Sequence, residues 1–192
     1  MPSFRNDGAT VGVSDHAGWA VMMTVAADGT ILDRRRVGLL DAGLPVMPIH
    51  HDAQKLPVEE AVALVERVRA SAVRQAKLTL EALAKEIPSP IQGLALRQCP
   101  PLPATIPEQL RDYRASNVAD WVMYRVALAD AAKGRGWRVH WYDAKKVFDV
   151  ASKALHVPSL DSHFVRAKKA MGPPWNADHK LATAAAIAAA TE

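Results

Sequence analysis

A single cysteine, Cys99, stands in a chain of 192 residues, so neither an internal disulfide nor a cysteine zinc site can form. That scarcity favours a reducing compartment, and a cytoplasmic location is expected. Met1-Pro2-Ser3-Phe4-Arg5-Asn6-Asp7 has no apolar core beside a basic segment and does not read as a secretory leader. Long hydrophobic runs are also missing: Ala182 to Ala190 is apolar but too short and too small to insert into a bilayer. Gly134-Arg135-Gly136 lacks a following glycine and precedes a strand pattern, so it is not a phosphate loop. No Gly-x-Ser-x-Gly element occurs, which removes the commonest hydrolase elbow. No internal repeat is visible.

What is present fits one domain over residues 1–192, with 49% hydrophobic and 23% charged residues, near ordinary globular proportions. The net charge is only +4, but the cations are grouped: Arg34-Arg35-Arg36, then Lys133, Arg135 and Arg138, then Lys145-Lys146, then Arg166, Lys168 and Lys169. Such groups can track a phosphate backbone; equally, they can be the solvated ends of helices and turns.

Ala9 to Ser14, Trp19 to Ala26 and Ile31 to Leu40 read as three strands of an antiparallel meander, joined at Asp15-His16-Ala17-Gly18 and at Asp28-Gly29. Residues 42–57 hold three prolines around His50-His51-Asp52 and read as an irregular surface loop. Helical spacing from Ala61 through Leu64, Val65, Val68, Ala72, Ala76, Leu80 and Leu83 predicts a long helix ending near Glu86. A buried strand over Ile91 to Cys99, a proline-rich excursion over Pro100 to Pro107 and a second long helix from Ser116 to Gly134 follow. Trp137 to Tyr142 alternates as a strand, Ala144 to Leu155 is a short helix, and a last helix starts near Asp178. The expected fold class is α/β, a five-stranded mixed sheet of three antiparallel strands plus two later strands, flanked by helices.

Two separated segments carry the chemistry. Asp15 ends an apolar strand, where a rim carboxylate can take a hydrated magnesium ion or simply cap its turn. Asp178 and His179 open an alanine-rich helix, as metal ligands or as helix-start residues. His50 and His51 are adjacent, so they point to different sides of an extended chain and make a poor metal pair. Trp19, Trp121 and Trp137 are expected in the core. Trp175, after Gly172-Pro173-Pro174, is expected near the surface of the site, where an indole can pack or stack on a base.

In this order the segments resemble the RNase H-like superfamily, and within it the RuvC-type Holliday-junction resolvases. The resemblance rests on Val11-Gly12-Val13-Ser14-Asp15, Gly18-Trp19-Ala20-Val21, the middle strand Leu94 to Cys99, Tyr142-x-x-x-x-Val147, and Asn176-Ala177-Asp178-His179. It implies carboxylates holding two magnesium ions that cleave a phosphodiester, with Asp15 matching the first ligand. Arg97 stands where the family carries a middle-strand Glu, and a guanidinium cannot ligate a cation. At the last helix Asp178 is one residue out of register. Two outcomes follow from the resemblance. In the leading one the chain is a RuvC-like, metal-dependent nuclease on structured or branched DNA. Asp15, Asp178 and His179 would then hold one Mg2+ or Mn2+, and Arg97 would contact the scissile phosphate. In the alternative, no metal binds and the domain is a catalytically inactive nucleic-acid-binding or protein-interaction module. Arg34, Arg35, Lys133, Arg135, Lys145, Lys146, Lys168, Lys169 and Trp175 are the expected nucleic-acid contacts. A homodimer through the long helices is a further implication, and no membrane partner is expected.

Overall fold

The computed structural model describes residues 8–190. Strands β1 (Ala9–His16), β2 (Trp19–Ala26) and β3 (Ile31–Gly38) form the meander, with β4 (Ile91–Arg97) and β5 (Arg138–Tyr142) completing one sheet in the order β3-β2-β1-β4-β5. β1, β2 and β3 pair antiparallel, whereas β4 lies parallel to β1 and β5 parallel to β4. The His16↔Trp19 pair leaves a two-residue turn, Ala17-Gly18, in which Gly18 takes a φ of 78° that a side chain would resist. In the second hairpin the Asp28 carboxylate accepts from Thr30 N–H at 2.8 Å.

The helices are α1 (Val58–Glu86), α2 (Ile106–Arg111), α3 (Tyr113–Gly134), α4 (Val147–Ala154), α5 (Asp161–Met171) and α6 (Ala177–Ala189). Because strand side chains alternate, the sheet feeds two cores, one on each face. Val11 and Val13 join Leu80, Leu83, Leu94 and Leu128 in a core that α1 and α3 share. Across the sheet, Val21, Met23 and Ala95 pack with α4, α5 and the alanines of α6.

Several expectations change. β3 stops at Gly38 rather than Leu40. α3 starts at Tyr113, not Ser116, because Asp112 caps it, accepting from Arg114 N–H at 2.8 Å and Ala115 N–H at 3.0 Å. The proline-rich excursion contains α2, opened by a Thr105/Glu108 capping box, and α5 is an unexpected helix. Within residues 42–57, Pro48–Asp52 forms one π-helical turn, with Ile49 buried. Asp120, inside α3, holds it there by accepting from Ile49 N–H at 3.0 Å and His50 N–H at 2.9 Å. Burial pushes the Asp120 carboxyl above its ordinary value despite those two donors. Of the three tryptophans expected in the core only Trp137 is buried; Trp19 and Trp121 are half-buried.

α6 lies so close to β1 that only glycine fits at position 12. A Cβ there would stand 1.9 Å from the Ala182 carbonyl oxygen and 2.6 Å from Ala186 N. Gly12→Val should therefore cost about 3 kcal/mol or more, read as a lower urea midpoint at unchanged slope.

Candidate functional site

The carboxyl ends of β1, β4 and β5 meet the start of α6 and one face of α3 around a cleft of about 760 Å³. Ser14, Asp15, His16, Arg97 and Asp178 border it, together with Trp121, Arg125 and Phe148. The crevice beyond the carboxyl ends of parallel strands is where open α/β sheets bind ligands.

Asp15 and Asp178 reach this cleft from opposite faces of the sheet. Asp15 follows Val11 and Val13 toward α3, where its Oδ2 accepts from Arg125 Nε at 2.7 Å. Both side chains are sequestered, at 0% and 8% exposure, and Arg125 Nη1 also donates to Gln98 O at 3.3 Å. A carboxylate this deep needs such a partner, because an unpaired buried charge is expensive. Asp178 lies on the α6 face with Ser14 and His16. Its Oδ1 accepts from Ser14 Oγ at 2.8 Å and pairs with His16 Nε2 at 2.9 Å. Burial works to raise the Asp178 carboxyl, but the His16 and Ser14 bonds outweigh it and hold it below the ordinary value. The His16 ring stacks on Trp19 at 4.0 Å, and the Arg36 guanidinium lies 4.1 Å from the same indole. Two planar groups at those distances must take opposite faces of Trp19.

His179 does not join them. Asn176 caps α6, accepting from Asp178 N–H at 3.1 Å and His179 N–H at 3.4 Å, and its own N–H donates to His179 Nδ1 at 3.2 Å. The imidazole is buried against Trp175, with ring centres 5.8 Å apart. Burial and the nearby Arg34 charge hold its pKa down. Asp15 and Asp178 border one cleft without His179, and no group of three or more His, Cys, Asp or Glu side chains suited to a metal ion occurs among the described residues. Asp15 Oδ1 is buried with no hydrogen-bond partner among the described residues, but Arg125 already supplies a positive charge at Asp15 and a second guanidinium stands at position 97, and both charges oppose a divalent cation.

Arg97 itself is half-buried at the end of β4 and makes no ion pair among the described residues; its Nε is buried with no hydrogen-bond partner. Next to it in register is Tyr142, whose hydroxyl donates to Val13 O at 2.8 Å. Burial and the Asp15 charge push the Tyr142 hydroxyl up to about 12, against the pull of Arg97 and Arg125. The cleft thus holds one guanidinium neutralised by a carboxylate and one, beside the Tyr142 hydroxyl, that makes no ion pair among the described residues.

The surface cations expected to meet nucleic acid divide sharply. Arg34 donates to Gly172 O at 2.9 Å and Pro174 O at 2.7 Å, fastening the segment before α6. Arg35 is bidentate to Asp33, at 2.7 and 2.9 Å, and pairs with Glu86 at 3.1 Å. Both are committed to the fold. Lys133 and Arg135 end α3 just before β5, whose amino end lies at the opposite edge of the sheet from the cleft. Lys168 and Lys169 are exposed in the last turn of α5. Lys145 and Lys146 are exposed and follow Ala144, which borders the cleft. Trp175 is half-buried beneath the α6 cap rather than on an open surface. Arg125 was missed from the sequence, although an Arg set among the apolar residues of a helix, four residues after Trp121, signals a carboxylate partner.

No protein-family model matches the chain, and no curated protein sequence does. Its fold is similar to that of RuvC from Thermus thermophilus. Against T. thermophilus RuvC in complex with Holliday junction substrate the TM-score is 0.52, at 13% identity over 94% of this chain and 91% of that one. Against a second T. thermophilus RuvC structure the TM-score is 0.53, at 12% identity over the same shares. The fold is RNase H-like, of the RuvC type.

The buried pair yields a thermodynamic prediction. Arg125→Met alone should destabilise by about 3–5 kcal/mol, because it strands the Asp15 carboxylate. Adding Asp15→Asn should recover a large part of that loss, so urea melts of the four-member cycle should show strong coupling.

Proposed function

We propose that the chain is a nucleic-acid-binding domain of RuvC-type fold. It grips a backbone phosphate with Arg97 and does not cut by two-metal chemistry. The observation that carries this reading is the exchange of charge at the centre of the cleft. Where the resemblance calls for a ring of carboxylates, Asp15 is neutralised by Arg125 at 2.7 Å and Arg97 lacks an acidic partner among the described residues. A guanidinium without a carboxylate partner is suited to phosphate through its terminal N–H groups, the Arg97 Nε being buried. Asp178 adds a negative charge at the same cleft, but Ser14 and His16 occupy its Oδ1. The formal charges of Asp15, Asp178, Arg97 and Arg125 sum to zero, so the cleft is a directional receptor rather than a broad positive funnel. Long-range attraction falls to exposed cations such as Lys145 and Lys146 at its margin.

The similar T. thermophilus protein is seen with a Holliday junction, which makes a four-way DNA junction the first ligand to try. In EDTA the protein should bind a fluorescent junction with an affinity that falls steeply as salt rises. Arg97→Ala should weaken binding about 10- to 100-fold, the value of one charge-assisted contact, with Arg97→Lys in between. Unchanged affinity in Arg97→Ala would overturn the phosphate assignment. Cutting of the junction in Mg2+ or Mn2+ that vanishes in Asp15→Asn would establish the nuclease reading instead.

A further inference from the structure

The walls of the cleft carry a second kind of chemistry besides charge. Asn117, Trp121 and Arg125 occur at four-residue steps along α3, so they share one helix face, and all three border the cleft. Trp121 is half-buried there. Phe148, 38% exposed, borders the same space from α4. The Asn117 amide nitrogen donates to Tyr113 O at 2.7 Å, leaving its amide oxygen as an acceptor. A cationic fork at the strand ends, aromatic surface on two different helices and one neutral amide match the parts of a nucleotide: a phosphate, a planar base and the polar edge of that base.

Resting on the phosphate contact proposed above, we infer that the cleft takes one unpaired nucleotide of a DNA strand. Its phosphate sits on Arg97 and its base against Trp121 and Phe148. The volume of about 760 Å³ lies within the range of sites for single small ligands, about 300–1,000 Å³. A base inside an intact duplex already has both faces stacked and its edge paired, and it reaches such a pocket only by leaving the helix. That cost is least where pairing is already broken. The domain therefore selects branch points and single-stranded segments over continuous duplex, and it does so without reading sequence, since every base has a π-face.

The test uses the full chain with three DNAs of one composition, each carrying 2-aminopurine: a single strand, a four-way junction labelled at its branch, and an intact duplex. Single strand and junction should bind at least about tenfold more tightly than duplex, with the 2-aminopurine emission quenched by stacking. Trp121→Ala should lose about fivefold to 150-fold on the single strand and abolish the quench, while leaving the weak duplex binding and its salt slope unchanged. Trp121→Phe, which keeps a stacking ring, should retain most of both and shows that the alanine effect is not misfolding. Equal affinity for all three DNAs, or a quench that survives Trp121→Ala, overturns this inference; if Arg97→Ala still weakens every DNA, the phosphate contact stands without it. Complete displacement of the single strand by an equal concentration of dAMP overturns the strand assignment in favour of a free nucleotide.

Discussion

The buried ion pair between Asp15 and Arg125 governs the site. At 2.7 Å, with neither side chain more than 8% exposed, it joins the central strand to the middle of α3. Neither charge could remain in that setting alone. One consequence is structural: α3 is tied to the carboxyl end of β1 by an interaction that cannot be traded for water. Another is chemical, because Asp15 Oδ2 is occupied from within the protein. The electrostatic effect extends to Tyr142, where Asp15 raises the hydroxyl and the two arginines oppose it.

The two-residue period of β1 then explains why the remaining candidates do not gather round Asp15. Ser14 and His16 point to the α6 side and hold Asp178 there, while Asp15 points to the α3 side. α6 is placed by its approach to Gly12, and its first turn is closed by the Asn176 and His179 cap. His179 is thereby a structural residue of the helix start. A cleft remains in which Arg97 has no carboxylate partner among the described residues, flanked by aromatic rings that the cores do not absorb.

Much of this architecture was legible because it rests on periodicity. The meander, α1, β4 and β5 follow from alternation and helical spacing, and the position of the cleft follows from Asp15 and Asp178 closing and opening their elements. The shortfalls have physical causes. α2 hides among prolines although Thr105 and Glu108 announce its start. The Arg34-Arg35-Arg36 run looks like a phosphate-binding strip, yet Arg34 reaches carbonyls at Gly172 and Pro174, far along the chain, and Arg35 is taken by Asp33 and Glu86. Charge runs reveal the sign of a surface and nothing of its partners. Arg97 was readable as an obstacle to metal binding; that Arg125 pairs with Asp15 Oδ2 required the packing of α3 on β1.

The central claim is that protein cations, not bound metal, balance the carboxylates of this cleft. Electron paramagnetic resonance titration with Mn2+ tests it most directly, because free and bound Mn2+ are counted separately without any DNA or activity. The account predicts no stoichiometric binding at millimolar Mn2+ and an identical titration for Asp15→Asn. One or two tightly bound ions per chain, lost in Asp15→Asn, would contradict it.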